Sequence, residues 1–411
     1  VAVFKQIGPG DISTAQSFLT QLVDVIASDV SGSTTCRKYQ VFVTGANGRG
    51  AGVTSSLFQT VCDQDYTLQT SNEILDMTVG LRDDSLLVKS ASTGKDTAGK
   101  KLFPSESLMM REKISIYSQY SLLLLGASGS AFKSPQNSTL ESDKIDNAMF
   151  ISFKRLFSRD SIKENSFALE VASSGCKSEG SSGADSRPNI NRTSNSGTMF
   201  NVYTDAGLST STLVKFGGTC SDIVNATNTA EKVGNIFYQH GIVVLDIEKV
   251  FSGSQKISGT IDAVTSEGNG KVVLGALNTP GSNKQAKLVP DLMVSGSIDD
   301  ILDFYRTTRF KSGSQTCYTF MNRTNINSTL IWCRATADEF NYSSNPTYVD
   351  PSTNRINVIE VGQENFQSAF SYITTVGLYD PNDNLVAIAK MSRPIAKNNE
   401  KDITIRVRLD F

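Results

Sequence analysis

The strongest chemical signal in the sequence is Val41-Phe42-Val43-Thr44 running into Gly45-Ala46-Asn47-Gly48-Arg49-Gly50-Ala51-Gly52. A strand that opens into a glycine-rich loop can hold phosphate on backbone N–H groups. The spacing fits neither the dinucleotide fingerprint nor the P-loop, because no Gly-Lys-Ser/Thr follows. It is also shifted from the Thr-Gly-x-x-x-Gly-x-Gly of short-chain dehydrogenases, and no Tyr-x-x-x-Lys partner comes later. The stretch therefore reads as a surface loop. His240 is the only histidine, so any histidine-activated nucleophile must use it. It sits beside Gly241 in a predicted hairpin turn and reads as a solvent-exposed turn residue.

Carboxylates stand in pairs at Asp83-Asp84 and Asp299-Asp300. Glycan hydrolysis needs two carboxylates set apart in a cleft. Adjacent acids at a helix start are explained by capping and the helix dipole. Asp380-Pro381-Asn382-Asp383-Asn384 lacks the glycine and terminal glutamate of a calcium loop and reads as a turn. The six cysteines, Cys36, Cys62, Cys176, Cys220, Cys317 and Cys333, form no C-x-x-C pair, so no structural zinc site is expected and free buried thiols are. Arg406 and Arg408 share one face of a predicted strand, with Arg393 and Lys397 nearby. With a net charge of −2 and no aromatic ladder between them, they read as a solvated face or an inter-subunit ion pair, not a nucleic-acid surface. No catalytic, cofactor-binding or metal-binding residue is assigned, and no cofactor is implied.

The elements that would carry these residues suggest an α+β chain of three parts. A helix-containing mixed module is expected over 1–160. Its first helix starts after Asp11-Ile12-Ser13, on the three-and-four spacing of Phe18, Leu19, Leu22, Val23, Ile26 and Val30. A second runs from about Ser105 to Gly126, and a third from about Ser142 or Asp143 to Phe157. A β-rich middle domain is expected over 161–295, interrupted at 173–197 by a serine- and glycine-rich stretch with almost nothing to bury. Within it, Ile236–Tyr238 and Ile242–Leu245 flank a tight turn. Ser297-Ile298-Asp299-Asp300 has capping-box spacing and opens a short helix to Tyr305. A sandwich-like C-terminal β domain is expected over 296–411. In it Tyr372–Leu378 and Leu385–Lys390 form a hairpin, and Ile403, Ile405, Val407 and Leu409 alternate with Thr404, Arg406, Arg408 and Asp410.

No segment approaches the length of a membrane-spanning helix, and VAVFKQIGPGD lacks the basic start and apolar core of a secretory signal. The chain is expected to work in the cell that makes it, or in a particle assembled there, without membrane insertion and without nucleic acid as a partner.

Several stretches carry a resemblance. EFNYSSNPTYVD, YITTVGLYD, LVAIAKMSRPI and the terminal RVRLDF resemble the C-terminal region of virion structural proteins of large contractile-tailed, myovirus-like bacteriophages, especially marine phages. The likeness extends to LTQLVDVIASDVSGSTTCRKYQVFVTG, GKKLFPSESLMMREKISIY, FISFKRLFSRD and GNIFYQHGIVVLD, in the same order. It covers most of the chain, loosely in the middle. The resemblance implies a structural role in the phage tail, at a baseplate wedge or the fibre-attachment periphery. Location in the virion, partnership with other tail and baseplate proteins and several symmetry-related copies per particle follow from the same likeness. It supplies no catalytic residues to carry over. Interfaces favour aromatic and arginine anchors, which makes Phe340, Tyr342, Tyr348, Tyr379, Arg406, Arg408 and Phe411 the interface candidates. The alternatives are a receptor- or glycan-binding tail-tip adhesin and a glycan-degrading tail enzyme.

Overall fold

The computed structural model describes residues 4–39, 41–44, 50–54, 56–85, 87–88, 108–133, 144–154, 160–172, 175–177, 200–207, 212–251, 255–257, 264–267, 271–274, 288–310 and 316–410. The chain parts into two compact units. One combines Val1–Phe18 with Asn325–Phe411; the other is Leu19–Thr324. The boundaries expected at 160/161 and 295/296 both lie inside the second. Strand dominates, and most of it belongs to one large antiparallel sheet.

We number the strands of that sheet and of the C-terminal hairpin in chain order: β1 Ile12–Ile26, β2 Cys36–Lys38, β3 Gln59–Cys62, β4 Glu73–Leu81, β5 Asn147–Phe153, β6 Asp160–Ile162, β7 Ala168–Ala172, β8 Phe200–Thr204, β9 Leu213–Lys215, β10 Gly218–Asn225, β11 Asn228–Phe237, β12 Ile242–Asp246, β13 Thr316–Ala335, β14 Ser371–Tyr379, β15 Leu385–Lys397 and β16 Ile403–Asp410. The principal helices are α1, Leu108–Leu125, and α2, Ile298–Arg309.

In the second unit the sheet runs β13-β7-β8-β10-β11-β12-β5-β4-β3-β2. Its centre, β12-β5-β4, is covered on both faces. The strand sequences are therefore continuous apolar runs with no period-two alternation. Every residue of β12 is buried, and so is all of β5 except Ser152. Helix α1 packs on β4. Gly80 allows the close approach, since a Cβ there would meet the Tyr117 backbone nitrogen at 2.9 Å. Tyr117 donates to the Ile145 carbonyl at 2.7 Å and accepts from the Phe132 N–H at 3.0 Å. Phe150 stacks on Tyr120, with ring centroids 4.1 Å apart, and meets Phe132 edge-on.

Two of the three expected helices are strands, so the helical N-terminal module is corrected to sheet. The first is β1, helical only over Ala27–Ser31. The three-and-four spacing that suggested a buried helical face belongs to residues in the open: Phe18, Leu19 and Leu22 are 51%, 50% and 64% exposed. The third is the buried strand β5, preceded by the short strand Lys144–Ile145. A strand covered on both faces is as apolar as a helical stripe, and periodicity alone cannot separate them. The second expected helix is present as α1, and Gly126 ends it at φ 78°. The capping box at Ser297 forms as expected, with the Asp300 N–H to Ser297 Oγ at 3.1 Å and the Ser297 N–H to Asp300 Oδ2 at 3.1 Å. The β11–β12 hairpin turns at Gly241, φ 61°. The 173–197 stretch lies outside the described residues, except for Gly175–Lys177, a short strand parallel to Gln255–Ile257.

Asp246 caps the short helix Ile247–Val250, accepting from the Glu248 N–H at 3.0 Å. Burial pushes its carboxyl up to about 6. A pKa raised on folding favours the native state below the unfolded value of 3.8, and this contribution is lost as pH rises through 6. Asp246→Asn keeps the cap without the charge. It is expected to raise stability by about 1–2 kcal/mol at pH 8 and by much less at pH 4, read from denaturant melts at both.

In the first unit β13 pairs with β1, and over Ser328–Ala335 with β16. The terminal strand alternates as its sequence says. Ile405, Val407 and Leu409 join a small cluster with Ile331 and Leu378, while Thr404, Arg406, Arg408 and Asp410 are exposed. Strands β14 and β15 form a separate two-stranded sheet. Their turn is built on Asp380, whose carboxylate accepts the N–H groups of Asn382 and Asn384 at 2.9 and 2.8 Å.

Candidate functional site

The residues singled out for chemistry are dispersed, and their local structure explains them. Val41–Thr44 pairs antiparallel with the strand Gly50–Thr54, so the glycine-rich stretch leads into a strand at Gly50 and not into a helix there; residues 45–49 lie outside the described ones. His240 is exposed in its turn. Asp300 belongs to the capping box, while Asp299 accepts the Ser56 N–H at 2.7 Å and Gln59 Nε2 at 2.9 Å. Arg82 bridges Asp84 and Asp146. Cys36, Cys62, Cys220, Cys317 and Cys333 are free thiols, the first four buried. No cluster of three potential metal ligands occurs among the described residues, and no helix among them is long and apolar enough to cross a membrane.

The interface candidates, by contrast, all belong to the first unit. Phe340 is half-buried and holds a left-handed backbone, φ 55°, which is unusual for a bulky side chain. Ser371 Oγ fixes its carbonyl at 2.8 Å, and the buried ammonium of Lys397 binds Asn341 Oδ1 at 2.8 Å, the Asn398 carbonyl at 2.7 Å and the Ala337 carbonyl at 3.1 Å. Tyr348 is buried, donates to the Asn341 carbonyl at 3.1 Å and meets the exposed Tyr342 edge-on. Tyr379 is half-exposed against Phe4, ring centroids 5.1 Å apart. Arg408 reaches Asp410 at 2.6 Å and Ser328 at 3.0 Å, and Arg406 stands exposed opposite Trp332. Phe411 lies outside the described residues.

Phe4, Trp332, Cys333, Phe340 and Tyr379 line a cavity of about 820 Å³ in this unit. Its charged groups are Lys5, Asp11, Arg334, Asp380 and Asp383. Arg334 pairs with Asp11 at 2.8 Å, and Lys5 pairs with Glu339. Cys333 is the partly exposed thiol of the five described; burial raises the pKa of all five, to about 11 at Cys36 and Cys220. Among these five, Cys333 is expected to react first with a maleimide under native conditions, with the other four labelled only on unfolding; peptide mapping after timed quenching checks the order.

The sequence reading missed how much apolar surface this unit leaves in water. Its buried apolar residues, Ile331, Ala335, Tyr348, Leu378 and Val407, all retain 6–8% exposure, whereas Leu75, Met77 and Phe150 of the other unit are at 0%. Val361, Phe366, Tyr372, Val386 and Ile388 are each at least 59% exposed. Strand β15 is inverted, although β14 packs Val376 and Leu378 inward. Its small residues, Ala387 and Ala389, pack inward on the cluster, and the larger Val386 and Ile388 face water. That inversion is visible in the run Leu385–Lys390, where large and small apolar residues alternate instead of apolar and polar.

No protein-family model, curated protein or solved structure matches the chain.

Proposed function

We propose that this chain is a structural component of a contractile phage tail, in the baseplate wedge or fibre-attachment periphery, acting through protein–protein interfaces with other tail proteins. The sequence resemblance gives the class. The observation that carries the reading is the first unit, which exposes more large apolar side chains than it buries. Monomeric proteins rarely leave such surface in water, and assembly interfaces use it. Strand β1 points the same way. It is 15 residues long, exposed from Ile12 to Leu22, and carries no lysine, arginine, proline or glycine to guard its edge.

The test is mass spectrometry with immunogold labelling of purified particles, intact and contracted. Stoichiometric label at the tail end supports the proposal. Label at the neck, tube or head overturns the location, and absence from particles overturns the proposal itself.

A second reading, a glycan-binding tail-tip adhesin, rests on the aromatic-lined cavity, since sugar rings stack on exposed aromatic faces. Trp332 is the only tryptophan of the chain and lines that cavity, so its fluorescence reports occupancy directly. A saturable change on titration with host-surface oligosaccharides supports this reading, and an unchanged spectrum removes it.

A further inference from the structure

Among the described residues of the first unit, the most deeply buried side chain is a lysine. Lys397, at the end of β15, is 0% exposed, whereas the apolar residues buried in that unit keep 6–8%. A buried ammonium is costly unless a carboxylate offsets it. None of the partners of Lys397 does so. They are Asn341 Oδ1 at 2.8 Å, the Asn398 carbonyl at 2.7 Å and the Ala337 carbonyl at 3.1 Å, all neutral oxygens. Lys113, the other fully buried lysine among the described residues, donates to backbone carbonyls alone. Lys397 differs in holding a side-chain carboxamide, which can exchange its nitrogen without breaking the chain.

That carboxamide is held in place from several sides. Asn341 Nδ2 donates to the Ala337 carbonyl at 2.6 Å, and the Asn341 carbonyl accepts from the Tyr348 hydroxyl at 3.1 Å. The preceding residue, Phe340, keeps its left-handed φ of 55° with its carbonyl bound by Ser371 Oγ at 2.8 Å. A C=O bond of about 1.2 Å then puts Nζ about 3.5 Å from Asn341 Cγ, the separation of a near-attack pair. A base stands on the same turn. Asp338 accepts from Thr336 Oγ1 at 2.7 Å, and that bond, with the charges of Lys5 and Lys397, holds its carboxyl below the usual range. It is therefore ionised and lies within the field of the ammonium.

We propose that Lys397 and Asn341 join in an intramolecular isopeptide bond, formed by the folded chain itself. Asp338 takes one proton from the ammonium. The freed Nζ lone pair attacks Asn341 Cγ and the Cγ–Nδ2 bond breaks. A second Nζ proton leaves with Nδ2 as ammonia, and the third stays on the new amide. Nothing is oxidised or reduced, and no other reagent is needed. The exchange replaces a buried charge with a neutral amide, and the ammonia diffuses away. The bond closes the chain from 341 to 397 around both β14 and β15, a covalent staple on a two-stranded sheet that is marginal in water by itself. The inference is independent of the tail reading.

The test is the intact mass of the full 411-residue chain, denatured after incubation in its folded state, followed by tryptic mapping. The wild-type chain is expected to be lighter than its sequence mass by one ammonia, about 17 Da, and to yield a branched peptide that contains both Lys397 and Asn341. Lys397→Arg and Asn341→Ala are expected to keep their sequence masses. Asp338 lies in the open, so Asp338→Asn leaves the fold intact; it is expected to slow closure at least about tenfold, read as cross-linked fraction against time. A folded wild-type chain that stays at its sequence mass overturns the proposal. So does a loss of ammonia retained in Lys397→Arg, because that loss comes from succinimide formation at another asparagine. Closure of Asp338→Asn at the wild-type rate overturns the route through Asp338. The wild-type mass and the branched peptide decide for or against the bond even if neither Lys397→Arg nor Asn341→Ala folds.

Discussion

Phe150→Ala is expected to destabilise the chain by about 3–5 kcal/mol. Phe150 is fully buried at the middle of β5, between β12 and β4. Its ring stacks on Tyr120 at 4.1 Å, meets Phe132 at 5.6 Å and Tyr117 at 6.0 Å, and lies against Gly80. Removing it forfeits the transfer of a large apolar side chain from water and leaves a hole that the sheet and α1 cannot close, because backbone ladders hold both sides. The measurement is the denaturant midpoint by circular dichroism, falling with little change in slope. Phe366→Ala is the control. The same residue type at 85% exposure is expected to change stability by less than about 0.5 kcal/mol in the monomeric chain. A loss at Phe150 no larger than at Phe366 would contradict the core described here.

Lys113 supplies the second large effect, as a dependence on pH. Its ammonium is fully buried on α1 and donates to the carbonyls of Met293 and Gly296, each at 2.7 Å, on the turn that leads into α2. Burial lowers its pKa from 10.5 to about 7, against weak support from Glu112 and Asp300. The sign follows from proton counting. Between pH 7 and 10.5 the unfolded chain holds a proton on this lysine that the folded chain has released, so stability rises with pH across that window. The slope reaches about 1.4 kcal/mol per pH unit at its steepest. Below pH 7 both states are protonated and the contribution is flat, with the charge held in the interior at a cost. Lys113→Met removes the titration. Stability of the wild type relative to this variant is expected to increase from pH 7 to 9.5, measured as the difference between their unfolding free energies at each pH. A difference independent of pH would show that the lysine titrates alike in both states.

How legible the chain was depended on how local each feature is. The Ser297 capping box, the Gly126 stop of α1, the Gly241 hairpin and the Asp380 turn each close within a few residues, through hydrogen bonds or backbone angles that the sequence specifies directly. The β16 alternation was legible because one face is wet and the other dry. Strand β5 was not, because burial on both faces erased the alternation. Strand β1 was not, because its apolar residues lie exposed along an edge, and the ladder to β13, some three hundred residues later in the chain, sets its conformation.

The candidate surface divides the same way. The sequence pointed to Phe340, Tyr342, Tyr348 and Tyr379 as aromatic residues able to anchor contacts, and to Arg406 and Arg408 as a basic face. It could not distinguish Tyr348, which is buried, from Tyr342, which is 67% exposed, six residues earlier. Nor could it show that Val361, Phe366, Val386 and Ile388 stay in water, since an apolar side chain in a sequence carries no record of whether the folded chain has a partner for it.

By itself the sequence determined the turns, the caps, one long helix, the alternating terminal strand and the absence of a recognisable catalytic spacing, all consequences of covalent geometry and short-range hydrogen bonding. The tertiary structure alone decided which apolar segments became sheet, how the chain divides into two units, and which apolar faces remain uncovered. Those outcomes depend on pairing and burial between residues far apart in the chain, where free energy is gained only when both partners arrive.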